Sequence, residues 1–397
     1  DILKQDPAKQ YEKMDVNTKV LYRNTIKEMS QKTKLSEIYI AQKCLELSNK
    51  GEGKQSHVGY YLISDGKYVL LNYLQNKNKR YLTKKQKAEL YVFAIWLFTV
   101  VLDLVFTEVL YKQTSNFLLS IIMFICILLP IENIVTKIIQ FVLSKTVKPK
   151  LIPKLDFQNG IPEEYATYVV IPTILKSKEQ VKKLMEKLEV FYIANKSSNL
   201  YLALLGDCSS SDKEEEEFDA EVIEAGVSEV KRLNEKYANN SYDTFGFVYR
   251  KRIWNDKENC YLGWERKRGM LNQFNEYVLG KIKNPFRINT LTQIPKIKYV
   301  ITIDSDTDLT LNSGLEMIGA MAHILNRPEL NEEKDLVVSG HGLIAPRVGV
   351  NLEETQRSVF SMLYAGKGGT DSYTNAISDL YQDNFDEGIY SGKGKTE

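Results

Sequence analysis

The chain has 397 residues, of which 43% are hydrophobic and 26% charged, and its formal net charge is +2 at pH 7. A chain of this size can bury a core and divides into two or three units, which excludes a disordered tail, and so small a charge argues against a nucleic-acid partner. The four cysteines form no CxxC pair, so neither a thiolate zinc site nor a disulfide framework is predicted.

Residues 1–88 are predicted to form a small, mainly helical accessory region in the cytosol. The strings KVLYRNTIKEMSQ and SEIYIAQKCLEL repeat apolar residues at three- and four-residue steps, which indicates amphipathic helices. The string HVGYYLISDGKYVLLNYL predicts a turn at Asp65 and Gly66 between two extended runs. No catalytic constellation is found in this region.

Residues 89–146 are predicted to form a transmembrane hairpin. Leu90 to Tyr111 and Asn116 to Ser144 are almost continuously apolar, and each is long enough as a helix to cross a hydrocarbon layer of about 30 Å. Basic flanks precede and follow the pair, whereas the short connection carries one lysine, so the positive-inside rule places both ends in the cytoplasm. We expect a multi-pass protein of the plasma (inner) membrane with lipid as a partner. Two buried helices of a soluble core are the alternative.

From residue 151 onward, strand patterns alternate with helix patterns. The predicted strands are TYVVIPTIL, LYLALLGD, FGFVYRKR and KYVITIDSD, and the predicted helices are EQVKKLMEKLEVFYIAN, EEEFDAEVIEAGVSEVKRLNEKYA, KRGMLNQFNEYVLG and NSGLEMIGAMAHIL. Repeated βα units predict an α/β fold with an open, mostly parallel sheet and helices on both faces. In such sheets ligands bind at the carboxyl ends of the strands.

Polar residues follow the predicted strands where each one ends. The fourth strand, YVITI, is expected to be a buried central strand that holds Asp304 and Asp306 rigidly, as the outer residues of a DxD motif. Two carboxylates of this kind suit Mg²⁺ or Mn²⁺ together with phosphate oxygens and water. Taken alone, a DxD is more often a solvated turn or a helix cap. Asp308 is expected to cap the next helix or loop and not to bind the cation.

Two other segments are predicted to complete a site for a diphosphate. Lys267 lies in the basic string GWERKRGMLN at the start of a helix, where backbone N–H groups near Gly269 also suit phosphates. Asp207, at the end of the second strand, suits hydrogen bonds from a base or ribose. Surface charge for Lys267 and an N-cap of the following helix for Asp207 are the alternatives.

The strings YVVIPT, LALLGD, KRGMLN and ITIDSDTDL together resemble the GT-A nucleotide-sugar glycosyltransferases of the processive β-glycan synthase type. Longer strings, among them DPAKQYEKMDVNTKVLYRNTI, RKRIWNDKENCYLGWERKRGMLNQFN and YAGKGGTDSYTNAISDLYQDNFDEGIYSGKG, resemble the cyclic β-1,2-glucan synthases (glycosyltransferase family 84) from Asp6 to about Gly394. The resemblance implies a Rossmann-like GT-A domain over residues 151–397. It also implies large inner-membrane enzymes that use UDP-glucose and a divalent metal, prime on the protein itself, elongate a β-1,2-glucan and cyclise it.

The resemblance also implies roles for individual residues. Asp304 and Asp306 would bind the metal and UDP, Asp207 the uridine and Lys267 the diphosphate. Pro172 and Thr173 would contact the nucleotide from the first strand, and Trp264 and Arg266 would shape the pocket. Gly392 and Lys393 would contact the glucan acceptor.

The general base is the part that the resemblance does not supply here. Inverting transfer needs a base near the acceptor hydroxyl, and the family carries it beyond the GKG string. Asp383, Asp386 and Glu387 are interpreted as structural or as lining the acceptor. We therefore expect a domain truncated at its C-terminus that binds donor and metal but transfers poorly. The alternatives are another processive β-glycan synthase and a non-catalytic UDP-sugar-binding module.

Overall fold

The computed structural model describes residues 2–75, 81–146, 151–237 and 242–346, together with residues 358, 359, 362 and 385. The chain divides into two compact units. One contains Asp1–Gln75, Ile152–Pro346 and Gly394–Glu397, and the other contains Asn76–Leu151 and Arg347–Lys393. Most of the predicted accessory region thus shares a unit with the α/β residues.

Within the described residues, the helices are α1 Val16–Thr33, α2 Glu37–Ser48, α3 Val58–Ile63, α4 Lys67–Gln75, α5 Lys84–Thr114, α6 Phe117–Thr146, α7 Lys178–Ala194, α8 Glu217–Lys236, α9 Arg266–Val278 and α10 Ser313–Ala322. The strands are β1 Thr167–Ile174, β2 Leu200–Asp207, β3 Phe245–Tyr249, β4 Ile253–Asn255, β5 Cys260–Leu262, β6 Ile288–Asn289, β7 Tyr299–Thr302, β8 Glu329–Leu330 and β9 Val337–Ser339.

The N-terminal residues form helices throughout the segment that was expected to hold two extended runs. Asp65 and Gly66 lie between α3 and α4, so the predicted extended runs are wrong. Val58, Tyr61 and Leu62 are buried, and this spacing of three and four residues is the period of a helix, not of a strand. The helical reading of α1 and α2 is confirmed.

A buried hydrogen-bonded chain ties the N-terminal helices together. The Asp6 carboxylate accepts from the backbone N–H of Val58 at 3.0 Å and lies 2.8 Å from His57 Nδ1, while His57 Nε2 lies 2.9 Å from the Tyr22 hydroxyl. The Asp15 N–H donates to the Lys154 carbonyl at 3.2 Å, which joins these helices to the α/β region. Because all three side chains of the chain are buried, each polar group needs the partner it has.

Five strands of the described residues form one sheet in the order β6-β3-β2-β1-β7. The pairs β1–β2, β2–β3 and β1–β7 are parallel and β6 pairs antiparallel with β3, so the expected α/β fold with a mostly parallel sheet is confirmed. Successive residues of β2 point to opposite faces. Leu202 and Leu204 join the core beneath α7 and α8, and Ala203 and Leu205 join the core beneath α9.

β7 differs from the expected buried central strand. Within the described residues it pairs only with β1 and is therefore an edge strand, and its four residues are half-buried. The fully buried strands are β2 and β3. The apolar run YVITI could not distinguish the two cases, because a half-buried strand can carry the same residues as a fully buried one.

In the second unit, α5 and α6 pack against each other as a helical hairpin. A capping box of Thr83 and Gln86 begins α5, and Ser115 ends it in a left-handed conformation. Both helices are long and apolar enough to cross a membrane, and Pro130 lies inside α6. Asp103 is buried in the first of them.

Candidate functional site

The end of β7 places Asp304 at the carboxyl edge of the sheet. The N–H of Ile303 donates to the Val170 carbonyl of β1 at 2.9 Å, so the next residue leaves the sheet beside β1. Asp304 then begins a turn that its own carbonyl closes by accepting from the Thr307 N–H at 3.0 Å. Asp306, within this turn, is exposed and has no ion-pair partner in the described part of the chain.

An ion pair joins two residues that are far apart in sequence. Lys267, in the first turn of α9, donates from Nζ to Oδ1 of Asp304. The Asp304 side chain is 44% exposed and that of Lys267 is 27% exposed, so both remain accessible from solution. The predicted diphosphate lysine and the predicted metal aspartate therefore meet at one point of the edge.

The segment that carries Lys267 has an unusual backbone. Glu265 and Arg266, the N-cap and the first residue of α9, have φ angles of +46° and +50°, which is the left-handed region. Each non-glycine residue held there costs on the order of 1 to 3 kcal/mol unless its surroundings impose the conformation. A Cβ at Gly269 would lie 1.9 Å from the Trp264 carbonyl oxygen, so this close approach requires glycine.

Asp207 ends β2 and is buried against the same segment. Its Oδ1 accepts from the Cys208 N–H at 2.9 Å, and its Oδ2 lies 3.3 Å from Nη1 of Arg250. Burial raises the pKa of this carboxyl above its ordinary value, and Arg250 opposes that rise. Asp207 does not cap α8, which begins after Glu216, so the alternative of an N-cap is wrong.

Thr173 and Pro172 lie on β1 next to these residues. Thr173 pairs in register with Gly206, one residue before Asp207, and is half-buried, whereas Pro172 is buried. The indole of Trp264 is exposed, and Arg266 lies 3.9 Å from Glu258. The edge thus brings together the nucleotide-binding residues predicted on β1, β2 and α9.

The remaining predicted residues have different outcomes. Asp308 forms an ion pair with Lys187 of α7 at 2.9 Å, and α10 begins after Asn312, so the expected role of Asp308 as a cap for that helix is wrong. Gly392 and Lys393 lie outside the described residues, as do the other carboxylates considered near the acceptor, Asp383, Asp386 and Glu387.

Two buried arginines near the site were missed in the sequence, of which, among the described residues, only Arg250 contacts a predicted site residue. Arg250 and Arg252 directly follow β3, and both are buried and paired with an aspartate, Arg250 with Asp207 and Arg252 with Asp219. The signal was the basic string RKR immediately after a buried strand. A charged residue at that position is close to the carboxyl edge and is rarely buried without a partner.

Comparison with known proteins finds similarity to one glucan synthase. No family model matches it. Over 401 aligned residues it is 29% identical to the cyclic beta-(1,2)-glucan synthase NdvB of Rhizobium meliloti (strain 1021). The chain is a relative of that cyclic glucan synthase. The alignment covers 97% of this chain and 14% of the relative, so the chain spans about a seventh of the length of the protein it matches.

In this glucan synthase relative, the edge offers few ligands to a metal ion. Among the described residues, no group of three or more His, Cys, Asp or Glu side chains could hold one. Asp304 and Asp306 provide hard oxygen donors on one short turn, which fits a cation that takes its other ligands from phosphate and water. The set therefore suits a cation that arrives with a diphosphate and does not suit a permanent all-protein site.

Proposed function

We propose that this chain is the donor-binding part of a membrane-bound, GT-A-type glucosyltransferase that uses UDP-glucose and Mg²⁺ or Mn²⁺ to build β-1,2-glucan. The observation that carries the proposal is the ion pair between Lys267 and Asp304 at the carboxyl edge of a parallel sheet. A cation-binding carboxylate and a phosphate-binding ammonium are the two groups that a departing diphosphate requires. The relative's name supports the choice of glucan and linkage.

In this proposal, Asp304 and Asp306 hold the divalent cation, which supplies positive charge to the diphosphate as it leaves. Lys267 turns from Asp304 to the phosphate oxygens and adds a second positive charge. Asp207 and Thr173 bind the nucleoside, which fits their adjacent register on β1 and β2. The exposed Trp264, three residues before Lys267 along the chain, is proposed to shape the same site.

Transfer itself is a displacement at the anomeric carbon of glucose. A hydroxyl of the growing glucan attacks, the bond between that carbon and the UDP oxygen breaks, and UDP leaves with the bonding electrons. A β product from an α-linked donor means inversion, and the hydroxyl proton passes to a carboxylate base. Gly392 and Lys393 are proposed to meet the acceptor. Ring closure of the glucan is proposed from the relative's name alone.

The hairpin of α5 and α6 is proposed to lie in the plasma (inner) membrane, with the sheet on the cytoplasmic side where UDP-glucose is available. The apolar length of both helices supports this arrangement. Recovery of the chain in the membrane fraction after alkaline washing would support it, and release into the soluble fraction would contradict it.

The test of the function uses membranes that contain the full chain, labelled UDP-glucose and Mn²⁺ or Mg²⁺. Incorporation of label into glucan or into the protein supports a transferase, and linkage analysis of the product separates β-1,2-glucan from other β-glycans. Metal-dependent UDP binding without incorporation of labelled glucose would show that the chain is a UDP-sugar-binding module and not a transferase. Absence of both refutes the proposal. Asp304→Asn is the matched negative control.

A further inference from the structure

Arg250 connects the sheet to the segment that carries Lys267. It follows β3 directly, is 2% exposed, and its backbone N–H donates to the Gly206 carbonyl of β2 at 3.0 Å. Its position is therefore fixed by two strands of the sheet. A side chain that starts from so rigid a base can hold a loop at a defined distance from the strand ends.

The guanidinium of Arg250 holds three oxygens at once. Nη2 donates to the Trp264 carbonyl at 2.6 Å, and Nη1 donates to the Arg266 carbonyl at 2.9 Å. Nη1 also lies 3.3 Å from Oδ2 of Asp207. The planar fork of an arginine can make these bonds together, whereas a single ammonium cannot reach all three oxygens.

The two carbonyls belong to the strained part of the loop. Glu265 lies between them with a left-handed backbone, and Arg266 is left-handed itself. Two hydrogen bonds from a buried cation supply the constraint that this conformation needs. Lys267 is the next residue along the chain, so its direction toward Asp304 depends on the same two bonds.

We propose that Arg250 is a positioning residue for Lys267. It acts through the carbonyls of Trp264 and Arg266, touches no diphosphate itself, and aims the Lys267 ammonium at Asp304, two residues after the end of β7. The inference rests on the proposed function, because it identifies the diphosphate as the group that Lys267 serves. It predicts that replacing Arg250 by lysine, which keeps a cation beside Asp207, weakens binding of the phosphates of a ligand far more than binding of its nucleoside.

Arg252 offers a matched control on the same loop. It is 4% exposed and pairs with Asp219, and its Nε donates to the Ser209 carbonyl at 2.9 Å. Its hydrogen bonds go to Ser209, Glu214 and Asp219, and among the described residues none goes to the loop before α9. Arg252→Lys therefore perturbs a buried arginine of similar exposure without touching the segment of Lys267.

The experiment measures the affinities of UDP and of uridine for the full chain in detergent with Mn²⁺, by calorimetry and by competition. For Arg250→Lys, which keeps a charge beside Asp207, we expect UDP affinity to fall at least tenfold and uridine affinity to change less than threefold. Arg252→Lys should change neither by more than threefold. If Arg250→Lys lowers the affinities of UDP and of uridine equally, Arg250 has only a structural role and the inference is overturned.

A double-mutant comparison sharpens the test. In a Lys267→Ala background, Arg250→Lys should cost less than a further threefold in UDP affinity, because the group it positions is gone. Fully additive losses would contradict the inference. If thermal unfolding shows that Arg250→Lys does not fold, Arg250→Gln is the second variant. Because its side-chain amide keeps N–H donors for the carbonyls, Arg250→Gln is expected to bind UDP more tightly than Arg250→Ala does.

A readout without nucleotide separates this inference from the proposed function. Labelling of Lys267 by an amine-reactive reagent, followed by mass spectrometry, should be several-fold faster in Arg250→Lys than in the unmodified chain or in Arg252→Lys. Failure of the unmodified chain to bind UDP would refute the function, whereas equal labelling rates would refute the positioning of Lys267 even if UDP binds.

Discussion

Two carboxylate clusters lie near the carboxyl edge of the sheet, and they differ in how completely each carboxylate is satisfied. Asp219 is 1% exposed and accepts from both terminal nitrogens of Arg252, from the Tyr249 hydroxyl at 2.6 Å and from the Glu216 N–H at 2.9 Å. Asp304 is nearly half exposed, and within the described residues its carboxylate has one partner, the ammonium of Lys267.

The difference separates a cluster that serves the fold from one that can serve a ligand. Both carboxylate oxygens of Asp219 already accept hydrogen bonds from buried donors. A ligand could therefore bind there only by displacing those donors and disrupting the core. Asp304 is paired with a flexible side chain that can swing away in solvent. Its partner can be exchanged for a cation at little cost, and the exchange leaves Lys267 free for an anion.

The largest effect on stability is expected from the closed cluster. Asp219→Ala leaves the buried guanidinium of Arg252 without its counter-ion, and removal of one partner of such a pair typically costs about 3 to 5 kcal/mol. We expect a loss of this order in the free energy of unfolding, measured by chemical denaturation in detergent. Asp304→Ala should change it by less than about 1 kcal/mol, since that pair is solvent-exposed. Similar losses in both variants would remove the distinction between the clusters.

The largest effect on binding is expected from the open cluster. Asp304→Ala and Asp306→Ala remove the proposed ligands of the cation, so UDP affinity in the presence of Mn²⁺ should fall at least 100-fold, or about 2.8 kcal/mol. Asp308→Ala is the control, because its carboxylate lies on the same segment but pairs with Lys187. Calorimetry with unchanged affinity for UDP in the Asp304 and Asp306 variants would show that the site is misplaced.

Much of this architecture could be predicted from the sequence because it follows from local pattern. The alternation of apolar strands with amphipathic helices predicts the parallel pairs β1–β2 and β2–β3, and the rule on strand ends points to Asp207 and Asp304. The apolar length of α5 and α6 is equally visible in the sequence.

The parts that could not be predicted depend on contacts between distant residues. Nothing in the string YRKR says that Arg250 turns inward to two carbonyls while Lys251 stays exposed. The edge position of β7 depends on which strand pairs with it, and the pairing of Asp308 with Lys187 depends on the packing of α7. Whether a charged side chain is buried depends on whether it has a partner. Arg250 has its partner in Asp207, which is more than 40 residues away along the chain.

A smaller effect is expected when Lys267 is removed, and its sign differs between ligands. Lys267→Ala frees Asp304 from its ion pair, so Mn²⁺ alone should bind a few-fold more tightly, whereas UDP with Mn²⁺ should bind about tenfold more weakly for lack of the phosphate contact. Asp308→Ala, whose carboxylate pairs with Lys187 and not with Lys267, should change neither affinity appreciably. A fall in both affinities of Lys267→Ala would mean that Lys267 only supports the local fold.

The smallest effect concerns pH and separates two carboxylates that are both paired with arginine. Burial pushes the pKa of Asp219 upward, but hydrogen bonds from Arg252, Glu216 and Tyr249 outweigh it, and the pKa is lowered. The stability it contributes is present above the unfolded-state pKa of about 3.9 and is lost as pH falls through the lowered folded pKa. Thermal unfolding should show the advantage of the unmodified chain over Asp219→Asn shrinking on acidification below about pH 4.

Asp207 should show the opposite trend, because burial raises its pKa despite Arg250. Its folded form takes up a proton before the unfolded form does, so the unmodified chain should gain stability relative to Asp207→Asn as pH falls through the raised folded pKa. Trends of the same sign in both variants would contradict the assignment. Opposite trends would show that an arginine partner alone does not determine how a carboxylate at this edge responds to pH, and that the number of donors that reach it does.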